Sequence, residues 1–415
     1  MNNSFKNKPV AILAKKTLRT LRLYIVLLIS TFSLAQNSQT ISLEKAIEKA
    51  KANNIDLKIA DKEIEKQTVL KKTAFQVDPL QVQYQGGQFN SVSYDHNVSI
   101  QQYFPIGKIT KANRQLQEEL AKLAEKRKAL TEYEIEKAVS LAYYQYLYGV
   151  SIQKLNNELF EIYSKFLKNA ELRFQTGESG NIEVISAKAK SKEIETQKAQ
   201  LEYDLLVYQK QLQYFVQTDE NIVPDANTPL QYDYPTTSND DKIQGLVNDY
   251  YIQQISVYQK EANTFKAMRT PKLGLGYFGQ TIDTKSYFQG FTAGLQIPLF
   301  GGANTAKAKA SGISISQSQL ELDKSKLTLK LKKEELQNEF EKQKSALVYY
   351  QNEGLQYAEQ IISTAQKSYA NGDMSYWSYI SFLNQAIDIK KQNAEAINAY
   401  NQSAIQLQFP SFNNN

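Results

Sequence analysis

The chain has 415 residues, a formal net charge of +6, one histidine and no cysteine. The missing thiols exclude disulfides, thiolate metal sites, cysteine nucleophiles and lipid attachment through a cysteine. The basic excess belongs to residues 1–35, where Lys6, Lys8, Lys15, Lys16, Arg19 and Arg22 meet no acid; without them the formal charge is zero, which leaves no excess to suggest nucleic acid as a partner.

Those six cations precede an apolar run over 23–34 that closes on Ser33-Leu34-Ala35. A basic start, a short apolar run and a small-x-small exit predict a signal peptide over 1–35, cleaved after Ala35 and too short to span a bilayer as a helix. Residues 42–75 predict the first helix, with Ser42 as N-cap and Leu43, Ala46, Ile47, Ala50, Ile55, Ile59 and Ile64 as its apolar stripe. Leu80, Val82 and Tyr84 then alternate with Gln81, Gln83 and Gln85, and Val98 and Ile100 alternate with Asn97, Ser99 and Gln101. Period-two alternation puts one set on each face of a strand, so 79–104 reads as a β-hairpin. The polar turn over 91–97 holds the single histidine, His96, expected as a solvated loop residue.

Phe104-Pro105-Ile106-Gly107 closes the hairpin and opens a long helix over 108–174. Leu116, Leu120 and Leu123 mark its seam, Tyr143, Leu147 and Val150 continue it, and Gly149 is its one weak spot. Phe174-Gln175-Thr176-Gly177 turns the chain, which returns as a helix over 182–216. The stretch 217–242, with three prolines and few apolar residues, reads as a linker or small irregular segment.

The same order then recurs. A helix over 243–267 leads to a hairpin over 271–299, in which Leu273, Leu275 and Tyr277 alternate with Gly274 and Gly276, and Phe291, Ala293, Leu295 and Ile297 alternate with Thr292, Gly294 and Gln296. Ile297-Pro298-Leu299-Phe300-Gly301 closes it. A long helix over 303–370, the turn Tyr369-Ala370-Asn371-Gly372, a helix over 376–407 and a tail over 410–415 complete the chain. Pro105 and Pro298 lie 193 residues apart, and Gly177 and Gly372 lie 195 apart. The chain therefore reads as a tandem duplication, 36–216 and 243–409. In the second long helix Ile313, Leu320 and Leu327 step by seven, as do Leu329 and Leu336, which suits a coiled-coil seam.

No catalytic residue, cofactor site or metal site is expected. One loop histidine builds no triad, the glycine pairs adjoin strands without a phosphate-binding lysine, and only Met268 and Met374 follow the starting methionine, which supports no thioether relay. The strands are near ten residues, long enough to cross a bilayer at a tilt, with Gln81, Gln83, Gln85, Gln101 and Gln296 on a polar face. Tyr84, Tyr103, Phe104, Tyr277 and Phe300 lie where aromatic girdles sit. Four strands cannot close a barrel, so a membrane reading requires shared copies: two give eight strands with a filled interior, three give twelve and a water channel. A soluble antiparallel sheet with one wet face uses the same alternation.

The signal segment, the duplicated order helix–hairpin–long helix–glycine turn–helix, and the two proline-containing exits resemble the TolC-like outer-membrane efflux proteins across 41–409. The stretch GYFGQTID, followed by FTAGLQIPLFGGANTAKAKA, is most similar to members accompanying cation-exporting resistance–nodulation–division pumps. The resemblance implies a mainly α fold with a small β part, built as long helical hairpins that form an α-barrel tunnel. It further implies a homotrimer in which four transmembrane strands per chain share a 12-stranded barrel in outer-membrane lipid, with a long periplasmic extension. Its partners would be a periplasmic adaptor and an inner-membrane efflux pump, and its work passive conduction of metal cations or drugs without catalysis. Phe174, Gln175, Thr176, Gly177, Tyr369, Ala370, Asn371 and Gly372 are the expected adaptor-docking tips. The family's acidic gate ring maps onto Ser378 and Ser381, which are not acidic; Glu183 and Asp373 are the acids nearby and join them as gate candidates. The alternatives are a duct for protein or peptide secretion and a soluble periplasmic coiled-coil scaffold or adaptor.

Overall fold

The computed structural model describes residues 39–235 and 240–411. The expected signal peptide, 1–35, and the end of the tail, 412–415, lie outside the described residues. The elements run β1 (Gln39–Ile41), α1 (Leu43–Asn53), α2 (Ile55–Leu70), β2 (Gln81–Gly87), β3 (Asp95–Pro105), α3 (Ile109–Gln175), α4 (Asn181–Val216) and β4 (Ile222–Pro224). Then follow α5 (Asp240–Ala267), β5 (Lys272–Ile282), β6 (Lys285–Gln296), α6 (Gly302–Tyr349), α7 (Leu355–Ala370) and α8 (Tyr376–Gln408).

Ser42 caps α1, its hydroxyl accepting the Lys45 N–H at 3.4 Å, but the helix expected over 42–75 is broken. Asn54 leaves helical geometry, and its side-chain carbonyl accepts the N–H groups of Asp56 and Leu57, which starts α2. Asparagine offers the backbone a local partner in competition with the helix ladder, so it ends one helix by capping the next. The long helix α3 is continuous over 67 residues, about 100 Å at ~1.5 Å rise per residue. Gly149 is not a weak spot in it. A Cβ there would lie 2.8 Å from Leu205 Cδ2 and 2.9 Å from Tyr208 Cδ2, so the glycine is a notch through which α3 and α4 approach closely.

The helix expected over 303–370 contains one π turn, Tyr350–Gly354, between α6 and α7. The Tyr350 hydroxyl donates to Gln392 Oε1 at 3.0 Å across to α8, which holds the extra residue of the turn against its neighbour. The seam of α6 also differs from expectation. Leu329 and Leu336 are buried, but Ile313, Leu320 and Leu327 are exposed, and Ser311, Ser318 and Ser325 occupy the buried positions instead. Small serines let α5 and α6 pack closely, with Ser311 Oγ donating to Glu261 Oε2 at 2.8 Å.

The stretch 217–242 is more than a linker. Its β4 pairs in parallel with β1, Gln39 to Ile222 through Ile41 to Pro224, and Ile222 and Tyr232 enter the larger of two apolar cores. Side chains capture its backbone from three helices. Tyr143 OH donates to Ile41 O at 3.0 Å and accepts the Asp225 N–H at 3.2 Å. Asn401 accepts the Tyr232 N–H at 2.7 Å and donates to Leu230 O at 2.6 Å, while Gln213 donates to Glu220 O at 2.6 Å. These polar groups replace the apolar residues the stretch lacks, and form a belt around the middle of the bundle. Tyr143→Phe keeps the ring and removes the clasp: Ile41 O and the Asp225 N–H keep their own bond at 3.0 Å, and the hydroxyl's bonds to them and to Thr228 Oγ1 are lost. A loss of about 0.5–1.5 kcal/mol is expected, read as a lower melting temperature by circular dichroism; unchanged melting would show that the hydroxyl does not hold the belt.

Candidate functional site

The hairpins join into one four-stranded antiparallel sheet, in the order β2-β3-β5-β6. Pairing of β3 with β5 joins the two halves of the chain. Directly paired residues share a face, so the register defines both surfaces. Val82, Ile100, Tyr277 and Phe291 form one row across all four strands, and Phe104, Leu273 and Leu295 form another. Val82 is 67% exposed and Phe291 87%. On the opposite face Gln81 pairs with Gln101, Gln83 with Ser99, Gln85 with Asn97, and Lys272 with Gln296. All five glutamines expected on the polar face thus lie together. The outer edges of the sheet, β2 and β6, have no strand partner among the described residues.

Three expectations for the hairpins change. His96 is a strand residue in β3, not a turn residue, and its Nδ1 lies 2.8 Å from the Tyr84 hydroxyl. Tyr103 turns to the polar face, where a Cβ on Gly274 would lie 2.8 Å from its ring, so it fills the space beside a glycine and leaves the girdle. Tyr277 sits in the middle of β5, not near its end. Phe300, just beyond β6, is almost fully exposed.

At the far end of α3 the two glycine turns are built alike. Gly177 (φ 78°) donates its N–H to Phe174 O, and Glu178 donates to Arg173 O at 2.8 Å. Gly372 (φ 80°) donates to Tyr369 O, and Asp373 donates to Ser368 O at 2.9 Å. Each is a helix stop that satisfies the last carbonyls through a left-handed residue, a conformation that favours glycine. Phe174, Gln175, Thr176, Ala370 and Asn371 are exposed around them. The side chains break the symmetry. Phe174 stays exposed, whereas its counterpart Tyr369 stacks on Tyr379 at 4.8 Å and accepts from Arg173 Nη1 at 2.6 Å. Phe166, Tyr376 and Tyr379 complete an aromatic cluster that ties α3 to α7 and α8. Burial pushes the Tyr369 hydroxyl up despite the Arg173 guanidinium, so the guanidinium meets a neutral phenol. An arginine four residues before Gly177 and a tyrosine three residues before Gly372 were the available sequence signal for this tie.

The gate candidates differ in their surroundings. Glu183 lies in the first turn of α4, half-buried, with Oε2 unpartnered; after burial, its charge helps push up the hydroxyls of Tyr369 and Tyr376. Asp373, Ser378 and Ser381 are exposed, and Ser378 is engaged in the α8 cap, its N–H donating to Ser375 Oγ at 3.2 Å. Among the described residues no three His, Asp or Glu side chains are grouped to hold a metal, and no helix is long and apolar enough to cross a membrane.

No protein-family model and no curated protein matches the sequence. Solved structures match over nearly the whole chain. It superposes on CusC, whose study concerns folding and transmembrane channel formation, with a TM-score of 0.71 at 14% identity over 91% of this chain and 94% of that one. The outer membrane protein VceC of Vibrio cholerae gives 0.67 at 13% identity, covering 89% and 97%. The CmeC outer membrane channel of Campylobacter jejuni gives 0.66 at 13%, covering 88% and 85%. Likeness at such identity establishes a common fold: a four-stranded sheet at one end of long helical hairpins.

Proposed function

We propose that the chain is an outer-membrane exit duct of a tripartite efflux system, conducting metal cations or drugs passively from the periplasm. The observation that carries this reading is the sheet. An apolar row lies exposed on one face, glutamines line the other, and both edges are open. Exposed apolar patches of this size mark a surface that is covered in the assembled state, and unpaired strand edges are not tolerated in lipid. Both needs are met if three copies contribute the hairpins of repeats 36–216 and 243–409 to a 12-stranded barrel, lipid outside and glutamines toward water. The solved channels that share the fold support that choice.

The helices would then extend the path about 100 Å into the periplasm, with the exposed stripe Ile313, Leu320 and Leu327 against a neighbouring copy. The tips 174–177 and 369–372 would meet a periplasmic adaptor coupled to an inner-membrane pump, and Glu183, Asp373, Ser378 and Ser381 would lie near the closing point. A glutamine lining binds cargo weakly, which conduction requires. The pump supplies the energy, so the duct needs no reaction of its own.

Fractionation with the native export segment tests this. The protein should leave outer membranes only with detergent, as an oligomer whose gel mobility changes on heating. Recovery in the soluble periplasmic fraction would overturn the barrel and favour a scaffold.

A further inference from the structure

Asp95, the first residue of β3, is 0% exposed. Its Oδ2 accepts from Ser91 Oγ at 2.9 Å, but its Oδ1 is buried and meets no donor. A carboxylate oxygen taken from water without a partner is unfavourable unless something else meets its charge. A second carboxylate arrives from the other half of the chain, on the turn between β5 and β6. Ser91 Oγ accepts the Asp283 N–H at 3.2 Å, and Ser93 Oγ donates to Asp283 Oδ1 at 2.6 Å. One pair of serines thus gathers two acids. The only cation paired with either among the described residues is Lys285, 3.5 Å from Asp283 and largely in solvent.

We propose that these hairpin tips bind a hard divalent cation, best Ca2+, through Asp95 Oδ1 and the Asp283 carboxylate. Hydroxyl and carbonyl oxygens of the 91–93 turn and water would complete the shell. The donors are all oxygen, which suits Ca2+ and Mg2+ rather than soft metals, and Ca2+ accepts the irregular geometry that loops provide. The single histidine, His96, is engaged with Tyr84 and takes no part. Two carboxylates make a weak site, in the ~10⁻⁴–10⁻³ M range of extracellular calcium modules. The bound ion would clamp the first hairpin to the second beside the β3–β5 junction. This site rests on the hairpin tips alone and stands whether or not the sheet lies in a membrane.

The test uses the full chain in detergent, stripped with chelator and titrated with Ca2+ by calorimetry, with Tb3+ luminescence excited through tyrosine as a second readout. The wild type should bind Ca2+ and melt at a higher temperature in its presence. Asp95→Asn, which keeps size and shape, should lose at least tenfold in affinity together with the Ca2+-dependent melting shift. Asp283→Asn should weaken binding similarly, and decides the question should Asp95→Asn fail to fold. Equal Ca2+ responses in wild type and both variants, or no binding up to about ten times the weak end of that range, would overturn the site.

Discussion

Leu275→Arg combined with Val82→Arg is expected to abolish recovery of the heat-modifiable oligomer from membranes, whereas Gln81→Arg combined with Gln83→Arg should preserve it. The four positions lie opposite four consecutive β3 residues, Ser99 to Gln102, with Val82, Gln81 and Gln83 on β2 and Leu275 on β5, so the pairs differ chiefly in face. An arginine on the lipid side of a barrel costs about 2–4 kcal/mol at the midplane, and every copy carries both substitutions. On the other face an arginine replaces a glutamine already suited to water. The measurement is the amount of oligomer in detergent extracts of isolated membranes. Equal yields for the two pairs would remove the membrane reading, because lipid on one face and water on the other must make the two faces respond unequally. The glutamine pair also separates barrel sizes. A 12-stranded lumen has room for the added guanidinium groups, while an eight-stranded one is filled by side chains and would be disrupted.

Much of this architecture was legible because it is periodic. The alternation around Val82 and Leu275 located both hairpins, and the proline-free runs after Pro105 and Pro298 located the long helices. What periodicity cannot convey is which surface meets which. Ile313, Leu320 and Leu327 keep a seven-residue step, yet within one chain the buried step belongs to Ser311, Ser318 and Ser325. An apolar heptad announces a covered face without saying whether the cover is the same chain or another copy, and serine can line a tight helix contact as well as leucine lines a wide one. The belt was illegible for a different reason. Its strands are three residues long, and its order comes from Tyr143, Asn401 and Gln213 reaching across 7 to 171 residues of sequence to hold backbone groups. Such captures leave no local pattern. The pairing of Asp95 with Asp283 through two serines is of the same kind: each acid reads as an ordinary turn residue until the hairpins meet.

The glycine turns allow the second decisive experiment, since their structural and proposed roles make separable demands. At Gly177 and Gly372 the backbone is left-handed, yet an added Cβ would meet nothing within 4 Å at either position. A side chain there strains only its own backbone, by about 1–2 kcal/mol per site for an ordinary residue and less for asparagine. In the proposed trimer, held by long helices, this should not prevent assembly. Gly177→Gln with Gly372→Gln is therefore expected to leave oligomer yield near wild type and to abolish efflux-dependent resistance, because six glutamines would project from the tips of the trimer where an adaptor must seat. Gly177→Asn with Gly372→Asn separates strain from bulk: it relieves most of the backbone cost while still covering the tip, so a surface role predicts that it too impairs resistance. Full resistance in both double variants would reduce the two glycines to helix stops and move the adaptor contact elsewhere on the helices. Loss of resistance together with loss of oligomer would instead place their importance in folding.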